Sequence, residues 1–215
     1  MRNEGARRLE VRPVSGRLRA MWKRVRSRLF PRKKRQSLIN RYITEGNLLD
    51  VGCGTGAYFA DLRSTIVPHG IEIDPDAVQL ARQHAERRGG SLIEADALGG
   101  LSTVASSTMR GVVMHSFLEH EVSPLEVLQE TRRVLNDEGV AIIKVPNVAC
   151  WNRRFWHGKD WPGFRFPDHV NYFTPRTLRM IALKAGLQIH RFAWYDRFPL
   201  NDNMWLVAKR HQRVK

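Results

Sequence analysis

The chain has 215 residues, and its 42% apolar side chains are enough for one packed domain and too many for a disordered polymer. Its two cysteines, Cys53 and Cys150, exclude a disulfide framework and a cysteine-rich metal module, and fit a reducing compartment. The formal charge of +15 is unevenly placed: residues 1–40 hold fourteen Lys/Arg against Glu4 and Glu10, whereas the rest of the chain sits near balance at +3.

That charge belongs to a leader rather than to the folded body. A nucleic-acid enzyme more often spreads its basic stripe over the domain, so the balance argues against nucleic acid as partner. Within the leader, "GRLRAMWKRVRSRLF" places Leu18, Met21, Trp22, Val25 and Leu29 at helical spacing, with Arg and Lys filling the other faces. Such a helix suits an anionic membrane surface, which gives the expectation of peripheral contact through residues 16–35. Packing of the same stripe on the chain's own domain and organelle targeting remain open readings. The start has no apolar signal-peptide core, and no apolar run approaches the roughly 18 residues of a membrane span. The expected location is cytoplasmic, at most on the inner face of a membrane. The expected division is 1–40 as a basic extension and 41–215 as the domain.

From residue 47 the chain alternates short apolar runs with helical segments. The runs are "NLLDV" (47–51), "GIEI" (70–73), "SLIEA" (91–95), "GVVMHS" (111–116) and "VAIIKV" (140–145). Asp74 followed by Pro75 predicts a capped helix reaching Gly89. Ser123, Pro124 and Glu126 predict a capping box opening a second helix, and Thr174 with Pro175 a third. Two final runs, "LQIHRFAWY" and "NMWLVAKR", have no helix between them and should pair antiparallel at an edge. The expectation is an α/β fold: a doubly wound, mainly parallel sheet of seven strands with an antiparallel last strand.

In such a sheet ligands bind beyond the carboxyl ends of the strands. There the first run breaks into "GCGTG", with Gly52, Gly54 and Gly56, where missing side chains let backbone N–H groups approach a ligand. With Ala57 this also satisfies the dinucleotide fingerprint, so an NAD(P) enzyme has to be weighed. Asp50, just before the turn, would repel a pyrophosphate and suits an ammonium group. Glu72 can take a ribose diol, and Asp96 an adenine amino group. Three acids in those places fit an amino acid joined to an adenosine better than two nucleotides. Cys53 reads as small packing rather than as a nucleophile.

These residues resemble the class I S-adenosylmethionine-dependent methyltransferases. "LLDVGCGTG", "GIEIDPDAV", "EADAL" and "HSFLEH…LQETRRVLNDEGVAIIKVPN" occur in the family's order. The resemblance implies S-adenosylmethionine as cofactor. It implies that Asp50, Gly52, Cys53, Gly54 and Gly56 surround the methionine end, Glu72 and Ile73 the ribose side, and Asp96 and Ala97 the adenine. His115 and Ser116 would line the methionine pocket. "MRG" (109–111) departs from the acidic pair usual before the fourth strand, a difference expected to concern a turn.

Methyl transfer to oxygen needs alignment, exclusion of water and often a base, for which histidine is suited. "FLEHE" (117–121) resembles the quinone O-methyltransferases, whose Glu-x-x-Glu-His run holds a divalent metal; here Ser116 replaces the first acid. Glu119 and His120 alone are too few ligands, so no metal is assigned. "FPDHVNYFTP" resembles a stretch of a bacterial branch acting on small molecules, quinones and surface sugars. His169 is the first candidate base and His120 the second. Residues 147–173 carry eight of the chain's nineteen aromatics and read as a lid over a small or lipid-linked acceptor. A nucleic-acid methyltransferase and a cofactor-binding scaffold without catalysis remain the alternatives.

Overall fold

A computed structural model describes residues 34–210, and from Arg35 onward they form one compact unit. The basic amphipathic stretch at 16–30, with most of the expected membrane-binding segment, lies outside the described residues. Among the described residues no helix is long and apolar enough to cross a membrane.

Helix α1 (Lys34–Tyr42) leads into strand β1 (Gly46–Val51). There follow β2 (Ile66–Glu72), α2 (Pro75–Glu86), β3 (Leu92–Glu94), α3 (Ala97–Thr103) and β4 (Met109–His115). The second half runs α4 (Pro124–Val134), β5 (Leu135–Pro146), α5 (Pro175–Lys184), β6 (Leu187–Arg191) and β7 (Asn203–Arg210). The seven strands lie in the order β3-β2-β1-β4-β5-β7-β6. All neighbours from β3 to β5 are parallel, and β7 runs antiparallel to both β5 and β6. The last strand is therefore inserted between β5 and β6, and β6 takes the edge.

Burial follows from the sequence. Leu48, Leu49, Asp50 and Val51 are all buried, as a parallel strand covered on both faces requires. One face of the sheet packs Leu101 of α3, Leu128 of α4 and Leu178 of α5. The other packs Leu38 and Ile39 of α1, Phe59 and Ala81. Strand β2 starts four residues before the expected run, at Ile66, although it contains Pro68. Strand β3 pairs with β2 only from Gly70 on, so a residue lacking an N–H is admitted at Pro68.

"MRG" is part of β4 rather than a turn. A Cβ on Gly111 would stand 2.1 Å from Ile43 Cδ1, so the bare backbone makes room for the residue that follows α1. Asp74 caps α2 as expected, accepting from Asp76 N at 3.0 Å. The capping box expected at Ser123 does not form: the Ser123 side chain caps nothing, and its N–H instead donates to Glu121 Oε1. Thr174 does form a capping box, with Thr177 as its partner.

Candidate active site

Strands β1 and β4 are adjacent and parallel, so the turns after Val51 and His115 emerge side by side. After β1, Gly52, Gly54 and Gly56 all take positive φ, at 71°, 54° and 61°, a region that L side chains rarely adopt. A Cβ on Gly52 would meet Phe117 Cδ2 at 2.5 Å, whereas one on Gly54 would meet nothing within 4 Å. Gly52 is bare for packing; Gly54 is bare toward open space. The Gly54 N–H donates to Glu72 Oε2 at 2.8 Å, and Glu72 Oε1 accepts from Ile73 N and Asp74 N. The ends of β1 and β2 are thereby joined by one carboxylate, which keeps a lone pair on Oε2 for a ligand. Ile73, beside it, is 68% exposed, an apolar side chain with no apolar cover.

Asp50 is buried to 1% exposure, and among the described residues its Oδ1 has no hydrogen-bond partner. Burial pushes its carboxyl up to about 7, against the opposing charge of Arg35. Tyr58 lies beside it, also buried, its hydroxyl close enough to oppose the rise, and the Arg35 guanidinium covers the Tyr58 ring at 3.6 Å. A buried carboxylate with an empty acceptor is a place for a cationic donor. Asp96 caps α3, accepting from Gly99 N at 2.7 Å, and Ala97 is buried behind it. Cys53 is buried, its thiol raised by burial, and its sulfur stands where a Cβ on Gly70 would collide at 2.6 Å. It packs.

At the end of β4, burial and the positive charges of Arg35 and Lys144 push His115 down to about 4, so its ring is neutral at pH 7. Ser116 takes φ 58°, a strained value for a residue with a side chain, and its hydroxyl accepts from Lys144 Nζ. Burial lowers the Lys144 pKa, with the charge of Glu119 opposing. Lys144, Arg35 and Tyr58 were not expected from sequence. Lys144 had a signal, a lone cation inside an apolar run; Arg35 was masked by the basic leader.

The segment between β5 and α5 supplies the last group. It forms a π-helical turn (Asn152–His157) and a 3-10 turn (Gly158–Asp160), and is otherwise irregular. It is tied down at both ends. Asn152 Nδ2 and Trp161 Nε1 donate to Asp202 Oδ1 at 2.8 and 3.3 Å. Val170 N and Asn171 N both donate to the Glu119 carbonyl at 3.0 Å, and Asn171 Nδ2 donates to the Glu121 carbonyl at 2.5 Å. Trp161 and Phe173 are buried, while Trp151, Phe155, Trp156, Phe166 and Tyr172 are exposed. The segment is core on one side and surface on the other.

These ties bring His169 to the turn after β4. His169 is 5% exposed and stands edge-to-face with the exposed His120, ring centroids 4.6 Å apart. His169 Nδ1 lies 2.8 Å from the Gly163 carbonyl and His120 Nδ1 2.7 Å from the Asp168 carbonyl. Glu119 joins them: one ligating atom from each of Glu119, His120 and His169 lies within 4.8 Å of the other two. Glu119 is 1% exposed, its Oε2 is unpartnered, and burial raises its pKa. His157 stands apart, exposed, with Nδ1 near the Asn152 carbonyl.

Comparison with known proteins gives the family and the fold. The sequence profile of a family described as a methyltransferase domain matches residues 16–191. An uncharacterized protein of Mycobacterium tuberculosis is 29% identical over 144 residues, 66% of this chain and 46% of that protein. The ubiquinone biosynthesis O-methyltransferase of Actinobacillus pleuropneumoniae is 29% identical over 107 residues, 46% of this chain and 45% of that enzyme. The chain thus spans under half the length of the curated relatives it matches. Among solved structures, the methyltransferase complexed with the Trm112 activator of Haloferax volcanii superposes with a TM-score of 0.67 at 18% identity, covering 92% of this chain and 95% of that one. A SAM-dependent methyltransferase of Archaeoglobus fulgidus gives 0.61 at 17% identity, covering 87% and 99%. At such identities these likenesses speak for the fold.

Proposed function

Since the chain belongs to the methyltransferase-domain family, whose profile spans most of it, we propose that it transfers a methyl group from S-adenosylmethionine to a small or lipid-linked acceptor, at oxygen. The observation that carries the reading is the turn at 52–56. Three left-handed glycines, one of them facing open space, stand over a buried carboxylate with an unused acceptor.

The residues present fit the cofactor. Asp50, ionised, receives the ammonium of its amino-acid end. The lone pair left on Glu72 Oε2 receives a hydroxyl of the ribose, with Ile73 covering the nucleoside. Asp96 has an oxygen beyond its cap bond for the adenine amino group. His115, kept neutral by burial and by Arg35 and Lys144, adds no charge to repel a sulfonium. When bound, the cofactor supplies an activated methyl group, so the protein needs no Lewis acid or redox step to create the electrophile.

The chain's part is then alignment and proton handling. A carbonyl oxygen only accepts, so His120 and His169 each hold an N–H on Nδ1, and in the neutral tautomer of each ring Nε2 is the acceptor. These are the acceptors that would meet an acceptor hydroxyl beside the methyl-binding end. The exposed rings of Trp151, Phe155 and Trp156 suit an apolar or lipid-borne acceptor, and the partial likeness to a ubiquinone O-methyltransferase supports oxygen as the atom. The basic leader, if it meets an anionic surface, would bring the site to such a substrate.

Titration calorimetry with S-adenosylmethionine and S-adenosylhomocysteine tests the first half. Stoichiometric binding is expected, and no heat with either compound overturns the reading. Transfer of labelled methyl into phenolic, sugar and lipid acceptor panels tests the second half; label appearing only on nitrogen or carbon overturns oxygen.

A further inference from the structure

We infer that Lys144 and Ser116 form a carboxylate-binding subsite for the acceptor, so that the molecule methylated is an acid, ionised at neutral pH. The inference rests on the methyltransferase reading and narrows its substrate class.

Lys144 lies near the carboxyl end of β5, in register with His115 of β4 on one side and Trp205 of β7 on the other. Residues paired in register point to one face of a sheet, and the His115 and Trp205 rings meet across β5 with centroids 5.5 Å apart. It is the face that packs Val113, Ile142 and Trp205 with Leu38 and Ile39 of α1. A lysine is an exception in that setting, since Ile142, Ile143 and Val145 around it are fully buried. Its side chain leads to the ligand edge of the sheet, where Nζ donates to Ser116 Oγ. Ser116 N in turn donates to the Lys144 carbonyl at 3.0 Å. Backbone and side chain of one residue thus tie the turn after β4 to β5 and hold the ammonium at one place.

That ammonium is short of acceptors. It has three N–H donors, and among the described residues Ser116 Oγ is the hydrogen-bond acceptor it meets, with no carboxylate in an ion pair. Glu119 is near enough for its charge to act on Lys144, yet among the described residues its buried Oε2 has no partner, so the two do not close on each other. Cations taken out of water are ordinarily paired, and a ligand carboxylate would use the remaining donors. The cofactor does not call for this cation. Its amino-acid end is a zwitterion, and Asp50 with the charge of Arg35 beside it offers one partner for each end. Lys144 is a second cation, reaching toward Glu119, which also feels His120 and His169 on the acceptor side. One ammonium matches one negative charge, so the subsite fits a carboxylate monoanion. A neutral acceptor leaves Lys144 unmatched, and selectivity follows from that as much as from attraction.

The probes are benzoate and its neutral counterpart benzamide, titrated into the full-length chain at pH 7 with and without S-adenosylhomocysteine and read by ligand-observed NMR. Benzoate should bind at least fivefold more tightly than benzamide. Lys144→Met should erase that preference while changing S-adenosylhomocysteine affinity less than threefold. Ser116→Gly, which keeps the left-handed backbone and removes the hydroxyl, should weaken benzoate more than benzamide. In methyl transfer, phenols bearing a carboxylate should exceed the matching carboxamides in kcat/KM by tenfold or more, and Lys144→Met should abolish the difference. Equal binding of the two probes, or a preference that survives Lys144→Met, overturns the subsite. Loss of S-adenosylhomocysteine binding in Lys144→Met with benzoate binding intact assigns the cation to the cofactor's own carboxylate and also overturns it. Circular dichroism identifies a variant that fails to fold, and Lys144→Gln then takes its place. Binding of S-adenosylhomocysteine without a benzoate preference removes the subsite and leaves the methyltransferase reading. A Lys144-dependent benzoate preference without S-adenosylhomocysteine binding does the reverse.

Discussion

The backbone N–H of Gly54 donates to Glu72 Oε2 across 2.8 Å, so the turn after β1 and the end of β2 behave as one unit although eighteen residues separate them. The same carboxylate also accepts from Ile73 N and Asp74 N. Glu72 therefore shapes the site as well as offering it an oxygen. Replacing it with Ala should weaken S-adenosylhomocysteine by tenfold or more, since hydrogen bonds to a charged group are worth about 1.5–3 kcal/mol each. Calorimetry checks this, and a change below twofold would remove Glu72 from the cofactor's contacts.

Two glycines of the turn separate packing from binding. Gly52→Ala would drive a methyl into Phe117 Cδ2 at 2.5 Å as well as straining the backbone, so its main effect should be on stability, above about 2 kcal/mol in urea unfolding. Gly54→Ala meets no atom within 4 Å and bears only the left-handed penalty, about 1–2 kcal/mol. Its larger effect should be on cofactor affinity, because the new methyl points into the open space. The two variants should rank in opposite order in the two assays.

Asp50 makes both binding and stability depend on pH. Its carboxyl, pushed up to about 7 by burial, is neutral below that value and ionised above it. Affinity for the cofactor's ammonium should therefore rise as pH increases through about 7, and Asp50→Asn should flatten the dependence. Stability of the free protein runs the other way. The folded chain holds this proton to about 7, whereas an unfolded Asp releases it near about 3.9. The native state thus binds more protons between those values, and its stability should fall as pH rises from about 4 to about 7. Thermal melts with and without S-adenosylhomocysteine should show a larger ligand-induced shift at pH 8 than at pH 5.5.

Asn171 divides the acceptor side from the cofactor side. Its Nδ2 donates to the carbonyls of Glu121 and Leu118, which fastens the loop carrying His169 onto the turn after β4. Asn171→Ala leaves the half-buried carbonyl of Glu121 without this donor, at a cost of about 1–3 kcal/mol. Turnover should fall while the S-adenosylhomocysteine affinity stays within twofold. Loss of both together would show that the loop supports the whole sheet edge rather than the acceptor side alone.

The bare turn and the acids around it were legible because their parts are local. Asp50, the glycines and Glu72 belong to one strand-turn-strand-helix passage, where a buried apolar run, bare turn and capped helix each leave a mark in the residues that form them. Errors arose where a neighbouring element overrode a local signal. The second run was expected only from Gly70, yet the strand starts at Ile66, because β3 is too short to need the N–H that Pro68 lacks; "MRG" read as a turn, yet Gly111 only makes way for Ile43. Ser123 carried the residue pattern of a capping box, but its side chain caps nothing and the Glu121 carboxylate takes its N–H instead.

By itself, then, the order of apolar runs and glycines determined the layered fold and the place of the bare turn, because backbone geometry and burial act over a few residues. The company kept by Glu119 and His120 was decided only in three dimensions. His120 reaches the carbonyl of Asp168, 48 positions away, and only the docking of an irregular aromatic segment on the turn after β4 puts His169 beside them. No periodicity encodes that meeting, because it depends on backbone hydrogen bonds between two loops, and any residue can make those.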